Sequence, residues 1–183
     1  FEVDELDVLD NVINQVNFLV DRSTAVGTYN LIIELDSDSE LDELDENNNL
    51  FAISFDVLEP LKSDLTIEDL LLSDNSINAG GNMSMSFRAY NIGETSSEPV
   101  NIGIYISADD QLDSSDDKIE EVRSNSINTS SSQTFDVNIS IPLDLTIGEY
   151  FIFVEADLDN EEDELDETNN LDVAALEVEE KLP

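Results

Sequence analysis

Thr134-Phe-Asp-Val-Asn-Ile-Ser-Ile141 is the stretch that decides the fold of this chain. From Phe135 to Ile141 every second residue is apolar, and a polar residue stands between each pair. Successive side chains of a β-strand point to opposite faces, so this period of two predicts a strand with one buried face. The period of about 3.6 residues that marks an amphipathic helix is not the dominant signal, which predicts an all-β protein.

The same alternation recurs on both sides of this stretch, in Met83–Tyr90, Val100–Ser107 and Tyr150–Ala156. Turn-forming residues such as those of Asn78–Gly81 separate the alternating segments. Leu65–Leu72 is also compatible with a turn of helix, but its neighbours favour a strand. Seven short antiparallel strands with turns between them predict an immunoglobulin-like β-sandwich. We predict these strands near residues 65–72, 82–90, 100–107, 118–123, 132–141, 149–156 and 170–178.

An acidic loop that ends in asparagines occurs twice. The first acidic loop is Asp36–Leu50 and the second acidic loop is Asp157–Leu171. They align without a gap at a shift of 121 residues (157 − 36), with 11 of 15 positions identical. Carboxylates about 6 Å apart repel by roughly 0.7 kcal/mol per pair even at the dielectric constant of water. Such loops are therefore expected to need cations.

The repeat extends beyond the acidic loops. Gly27–Ile33 aligns with Gly148–Val154, and Val16–Val20 aligns with Val137–Ile141, at the same shift. This predicts tandem immunoglobulin-like β-sandwich modules, with seven short antiparallel strands in each full module. We interpret residues 1–58 as the C-terminal half of one repeat, 59–62 as a linker, 63–180 as a complete repeat and 181–183 as the start of the next linker.

The composition excludes several classes of function. The chain has 45 acidic and 6 basic residues, a formal charge of −39, no His and no Cys. Ser–His and Cys–His nucleophile pairs cannot form, and zinc sites are not expected, so we predict that the protein is not an enzyme. The negative charge argues against nucleic acid as a partner. No run reaches the roughly 18 apolar residues of a membrane helix, so no direct membrane insertion is expected.

The acidic residues are concentrated in a few segments, which favours ion-binding loops over general adaptation to salt. Calcium binds six to eight oxygen ligands at about 2.3–2.6 Å, so Ca²⁺ is the expected cofactor. A solvated acidic hairpin remains the alternative, because Asn side chains commonly also fix turns. In the second acidic loop the candidate metal ligands are Asp157, Asp159, Glu161, Asp163, Asp166, Glu167 and Asn169. In the first acidic loop they are Asp36, Asp38, Glu40, Asp42 and Asp45. A further acidic cluster, equally compatible with a flexible loop, supplies Asp109, Asp113 and Asp116.

Several short motifs follow one another along the chain: Ser63-Asp-Leu-Thr-Ile67, Asn78-Ala-Gly-Gly81, Tyr90-Asn-Ile-Gly93, Gly103-Ile-Tyr-Ile-Ser107, Gly148-Glu-Tyr150, Asp159-Asn160 and Glu167-Thr-Asn-Asn170. Their order resembles that of CARDB-type modules, a family of cell-adhesion-related domains found in bacteria. The resemblance covers about 63–180 in full and about 1–58 as a C-terminal half. It implies tandem immunoglobulin-like modules of secreted or cell-surface proteins. The acidity of residues 157–167 exceeds what is usual in such loops.

These observations predict a non-catalytic, calcium-stabilised repeat module of a long secreted or cell-surface protein, acting as a stalk, a spacer or in adhesion. Its expected partners are neighbouring repeats of the same chain and a cell-surface or glycan target. Two alternatives stay open. One is a carbohydrate-binding accessory module of a secreted enzyme, for which Tyr90, Tyr105, Phe151 and Phe153 are candidate contacts. The other is a subunit of an extracellular fibre or surface layer.

Overall fold

The structure, a computed structural model, describes residues 11–13, 15–21, 23–45 and 47–180. The chain forms two compact units, Phe1–Pro60 (unit 1) and Leu61–Pro183 (unit 2). The described residues contain ten β-strands and no helix, so the prediction of an all-β protein is confirmed. Within this described part, no helix is long and apolar enough to cross a membrane.

Unit 2 is a sandwich of two sheets that follows strands β1 (Gly27–Glu34) and β2 (Leu50–Val57) of unit 1. Its strands are β3 (Leu65–Leu72), β4 (Ser76–Asn78), β5 (Asn82–Asn91), β6 (Asn101–Ser107), β7 (Asp117–Arg123), β8 (Ser131–Ser140), β9 (Gly148–Glu155) and β10 (Leu171–Glu179). The first sheet has the strand order β3-β5-β8, and the second has the order β4-β10-β9-β6-β7. All neighbouring strands are antiparallel except β4 and β10, which run parallel.

The core of unit 2 consists of the alternate apolar residues that its strands turn inward. Phe135, Val137 and Ile139 of β8 are buried while the polar residues between them are exposed, as the period of two predicts. The rings of Phe87 and Phe135 stack across the β5–β8 pair, with centroids 5.0 Å apart. The immunoglobulin-like sandwich is therefore the architecture of this unit. The short strand β4 was not predicted, because three residues are too few to show a period.

The described part of unit 1 contains one hairpin. Its strands β1 (Gly27–Glu34) and β2 (Leu50–Val57) pair antiparallel over their full length and are joined by the first acidic loop. The Tyr29 hydroxyl donates a hydrogen bond to the Ala25 carbonyl (2.9 Å), which is the arrangement of a tyrosine corner. The ring of Phe18 lies 5.6 Å from that of Phe55 on β2. The hairpin thus has an aromatic side but no second sheet among the described residues.

Candidate metal centre

The second acidic loop joins β9 to β10 and is organised by its first carboxylate. Asp157 Oδ1 accepts a hydrogen bond from the Glu161 amide (3.1 Å), and Oδ2 accepts one from the Glu162 amide (2.9 Å). Asp157 and Asn160 adopt left-handed backbone conformations, with φ of 49° and 51°. Asp and Asn tolerate this region better than most residues, so the residue types at these two positions favour the tight curl.

This loop is fastened to the segment that leads into β3. Ser63 forms a parallel bridge with Glu164, and the Leu165 amide donates to the Ser63 carbonyl (2.9 Å). The Leu65 amide donates to Glu164 Oε1 (2.7 Å). At the rim, Lys62 Nζ lies 2.5 Å from Asp163 Oδ1. The beginning and the end of unit 2 are therefore held together at the acidic loop.

Three carboxylates meet beneath the loop: Asp157, Glu164 and Glu167. One oxygen of each lies within 4.8 Å of the oxygens of the other two. Two ligands of one calcium ion at about 2.4 Å are at most about 4.8 Å apart, so the spacing suits a shared cation. Asp157 and Glu164 are buried, and Glu164 is only 3% exposed. We call these three residues the carboxylate cluster.

Burial makes the negative form of the carboxylate cluster costly. It raises the pKa of Glu164 to about 7, against hydrogen bonds from Asn170 and Leu65 that act to lower it. The nearby charges of Glu167 and Asp157 add to the rise. The pKa of Asp157 is also raised, again chiefly by burial. A divalent cation would offset both the desolvation and the mutual repulsion.

Two asparagines that follow Glu167 closely in the sequence have buried side-chain oxygens. Asn170 Nδ2 donates to Glu164 Oε2 (2.5 Å) and Asn169 Nδ2 donates to Asp64 Oδ1 (2.8 Å). The Oδ1 atoms of both amides are buried and have no hydrogen-bond partner within the described part of the chain. Unpaired buried acceptors are costly, and amide carbonyl oxygens are common calcium ligands. The donor set is therefore all oxygen and fits a hard divalent cation.

The structure brings only some of the predicted ligands of the second acidic loop together. It brings Asp157 and Glu167 together, but Asp159, Glu161 and Asp163 are exposed. Their contacts lie elsewhere: Asp159 accepts from Asn101, Glu161 lies 4.0 Å from Arg123, and Asp163 pairs with Lys62. Asp166 accepts hydrogen bonds from the Thr168 amide and hydroxyl, which lower its pKa. Asn169 bonds Asp64 as described above.

The first acidic loop repeats part of this framework. Asp36 accepts hydrogen bonds from the amides of Glu40 (2.9 Å) and Leu41 (3.0 Å), as Asp157 does from residues 161 and 162. Of its other predicted ligands, Asp45 accepts from Asn47, and all but Asp36 are exposed. Within the ranges that the structure describes, Asp36, Asp38, Glu40, Asp42 and Asp45 do not gather into a group of three carboxylates. Glu46, the counterpart of Glu167, lies outside the described residues.

The third predicted cluster lies in the loop between β6 and β7. Asp109 accepts a hydrogen bond from the Gln111 amide, and Asp113 accepts from Ser115. Asp116 Oδ2 accepts from the Asp113 amide (2.7 Å). Each carboxylate thus fixes a local turn. In the described structure, the three residues do not form a group with the spacing of a shared ion.

Sequence reasoning did not select Glu164 of the carboxylate cluster, or Asn170, which donates a hydrogen bond to it. The alternation by two from Asp157 assigns the even-numbered Glu164 to the other side of the loop. Its burial depends on the contact with Ser63 and Leu65, about a hundred residues earlier in the sequence. A signal does exist, because Glu164 and Asn170 both recur in the first acidic loop, as Glu43 and Asn49. Many other acidic positions recur as well, so the repeat alone does not single them out.

The candidate sugar-binding aromatics do not share one surface. Tyr90 lies on β5, in the three-stranded sheet, while the other three lie on β6 and β9 of the five-stranded sheet. Tyr105 and Phe153 are register partners on neighbouring strands, and Phe153 is buried. The four residues therefore do not form a single exposed platform.

The part of the chain that forms the sandwich and the second acidic loop matches the model of a known family. The CARDB family model matches residues 62–174, which covers more than half of the chain. The chain belongs to the CARDB family. CARDB domains occur in extracellular or cell-surface proteins, and the family is not catalytic. A comparison with curated proteins finds no match.

Solved structures agree with the CARDB fold. A crystal structure of a CARDB domain from Pyrococcus furiosus, in complex with di-metal ions, is similar with a TM-score of 0.50 and 18% identity. The match covers 64% of this chain and 89% of that one. The solution structure of the same domain matches with a TM-score of 0.50 and 18% identity, over 64% of this chain and 95% of that one. β-Glucosidase 3B from Thermotoga neapolitana matches with a TM-score of 0.46 and 16% identity, over 71% of this chain and 17% of the enzyme.

Proposed function

We propose that this CARDB domain is a calcium-stabilised structural module of a secreted or cell-surface protein, acting as a spacer or in adhesion. The observation that carries the proposal is the carboxylate cluster, of which Asp157 and Glu164 are buried, together with the buried, unpaired oxygens of Asn169 and Asn170. Two buried carboxylates that face a third are costly without a cation. The metal-bound CARDB domain from Pyrococcus furiosus supports the proposal by analogy.

The residues present define what a bound ion would contact. Asp157, Glu164 and Glu167 would supply carboxylate oxygens, and Asn169 and Asn170 would supply amide oxygens. Calcium would contribute positive charge at the point where the three carboxylates repel one another. Magnesium is a weaker fit, because it requires near-ideal octahedral geometry and releases its water reluctantly. The chain provides no thiolate or imidazole for softer metals.

The mechanical role follows from what the loop joins. Glu164 receives hydrogen bonds from Leu65 at the start of β3 and from Asn170 just before β10. A cation at the carboxylate cluster would strengthen the connection between the first and last strands of the sandwich. A module closed in this way suits a chain of repeats that spans a distance outside the cell. Its expected partners are the neighbouring repeats and a surface or glycan target.

Isothermal titration of the full chain with calcium tests the proposal. The informative variant is Glu167→Gln, because Glu167 is exposed and an amide can still accept the hydrogen bond from the Glu164 amide. We expect it to weaken calcium binding at least tenfold. The matched control is Asp163→Asn, which neutralises an exposed carboxylate of the same loop outside the carboxylate cluster and should change the affinity less than threefold.

Two results would argue against the proposed site. If calcium produced no heat beyond that of dilution, the carboxylate cluster would not be a calcium centre. If both variants weakened binding equally, calcium would respond to the overall charge of the loop. Repeating the titration at higher ionic strength separates screening from coordination, since screening affects exposed charges most.

A further inference from the structure

Unit 1 carries apolar side chains that nothing in the described structure covers. Val16 is 65% exposed, Phe18 is 55% exposed and Ile33 is 43% exposed. A two-stranded hairpin is at best marginally stable in water without a third strand or a packing partner. The exposed apolar residues of unit 1 are therefore a docking surface that needs an occupant.

The repeat indicates what that occupant is. At the shift of 121 residues, these three positions correspond to Val137, Ile139 and Val154 of unit 2. The counterparts are 9%, 1% and 0% exposed. The side chains that are open in unit 1 thus occupy the positions that form the core of the complete sandwich.

The correspondence extends to hydrogen bonds. The Tyr29 hydroxyl bonds Ala25, and the Tyr150 hydroxyl contacts Thr146, which stands 121 residues after Ala25. Asn49 donates to Glu43 (2.6 Å) in the first acidic loop as Asn170 donates to Glu164 (2.5 Å) in the second. Unit 1 therefore reproduces local features of the segment that contains β9, the second acidic loop and β10.

In unit 2 this core is completed by strands that precede β8 in the chain. Leu65 of β3, Phe87 of β5 and Ile104 of β6 belong to the same core cluster as Ile139 and Val154. Ser63 and Leu65, which fasten the second acidic loop, lie in the same part of unit 2. The apolar side chains of unit 1 therefore match the half of a sandwich that packs against such strands.

We propose that the apolar face of unit 1 docks the first five strands of a second CARDB repeat, equivalent to β3–β7 and carried by a preceding segment of the same polypeptide. A second copy of this chain is a poorer occupant, because its own β3–β7 already pack against its own β8–β10. If two copies exchanged these strands, each would replace contacts that it already makes within its own unit 2, and no further apolar area would be buried. The inference does not depend on calcium, so failure of the metal proposal would leave it standing.

The test supplies these strands in place of residues 1–9. Residue 131, where β8 begins, corresponds to residue 10 (131 − 121), so a copy of residues 61–130 placed directly before Asp10 continues the register. Amide hydrogen exchange of β1 and β2 is then compared between the natural and the extended chains, with and without chelator. We expect exchange in the hairpin to slow at least a hundredfold, while unit 2 keeps its protection and serves as the internal reference.

A matched pair of variants distinguishes docking from general stabilisation. Leu31→Asp alters the counterpart of the buried Ile152, whereas Leu58→Asp alters the counterpart of the exposed Glu179. In the extended chain the first should abolish the added protection and the second should preserve it. Unchanged exchange in the hairpin of the extended chain would overturn the proposal. The proposal would also be overturned if the natural chain sedimented as a dimer and its hairpin were protected from hydrogen exchange.

Discussion

The two acidic loops share 11 of 15 residues and differ mainly in what lies beside them. Both curl around a first aspartate that accepts two amide hydrogen bonds, with left-handed residues at Asp36 and Ser39 in one and at Asp157 and Asn160 in the other. Within the described residues, the second loop contacts Lys62–Leu65 and its Glu164 is buried, whereas the equivalent Glu43 of the first loop is exposed. The curl is thus encoded locally, whereas burial of the carboxylate depends on a distant strand.

The largest expected effect is on the calcium-induced rise in the Tm of unit 2, when equivalent glutamates of the two loops are substituted in turn. At a hundredfold excess over Kd, calcium bound only by the folded state adds about 2.7 kcal/mol. For a domain of this size that raises Tm by about 10 °C. Glu164→Gln should remove most of this rise, because it deletes a buried charge at the carboxylate cluster, and differential scanning calorimetry with calcium and with chelator measures it.

The control is the equivalent change in the first acidic loop, Glu43→Gln. Glu43 is exposed, so we expect its substitution to change the free energy of unfolding that calcium adds to unit 2 by no more than about 0.5 kcal/mol. Equal losses from the two variants would show that sequence identity, rather than burial, determines how the loops respond to calcium.

The pH dependence of unit 2 should sharpen the comparison in the absence of calcium. The pKa of Glu164 is raised from 4.5 to about 7 in the folded protein, mainly by burial. Between these values the folded state holds a proton that the unfolded state has released, so the free energy of unfolding should fall as pH rises. Denaturant midpoints in chelator from pH 4 to 8 measure this, and Glu164→Gln should flatten the curve. A wild-type midpoint that rises across this range would contradict the assignment.

The smallest expected effect comes from the rim of the second loop. Lys62 pairs with Asp163, whose side chain is 83% exposed. Exposed ion pairs contribute about 0–1 kcal/mol, so Lys62→Met and Asp163→Asn should each cost less than about 1 kcal/mol. A double-mutant cycle from urea unfolding gives the coupling energy. A coupling above about 2 kcal/mol would mean that this pair, more than the carboxylate cluster, fastens the loop to β3.

The strands could be predicted because their signal is local. In β8, alternate residues from Phe135 to Ile139 are buried, and this pattern is visible in the sequence. The bounds of the seven predicted strands agree with the structure to within a residue or two. β4 was missed because its pairing with β10 is a tertiary contact between short segments. The repeat boundaries and the assignment of 1–58 as a partial repeat stay predictions.

The carboxylate cluster was harder to predict than the fold. The sequence pattern selected the loop that contains it and two of its three residues, Asp157 and Glu167. It missed Glu164, because the loop curls through a left-handed turn at Asn160 and does not continue the strand's alternation. Which carboxylate becomes buried depends on Ser63 and Leu65, and long-range contacts of this kind leave no trace in the spacing of acidic residues.

The parallel pairing of β4 with β10 has a consequence for how unit 2 bears load. Tension applied at the two ends of the unit would pull β4 and β10 in opposite directions along their shared axis. The hydrogen bonds between them, together with the one from the Glu177 amide to the carbonyl of Asn75 just before β4, would then be strained together rather than broken one after another. A sandwich connected in this way resists extension in shear.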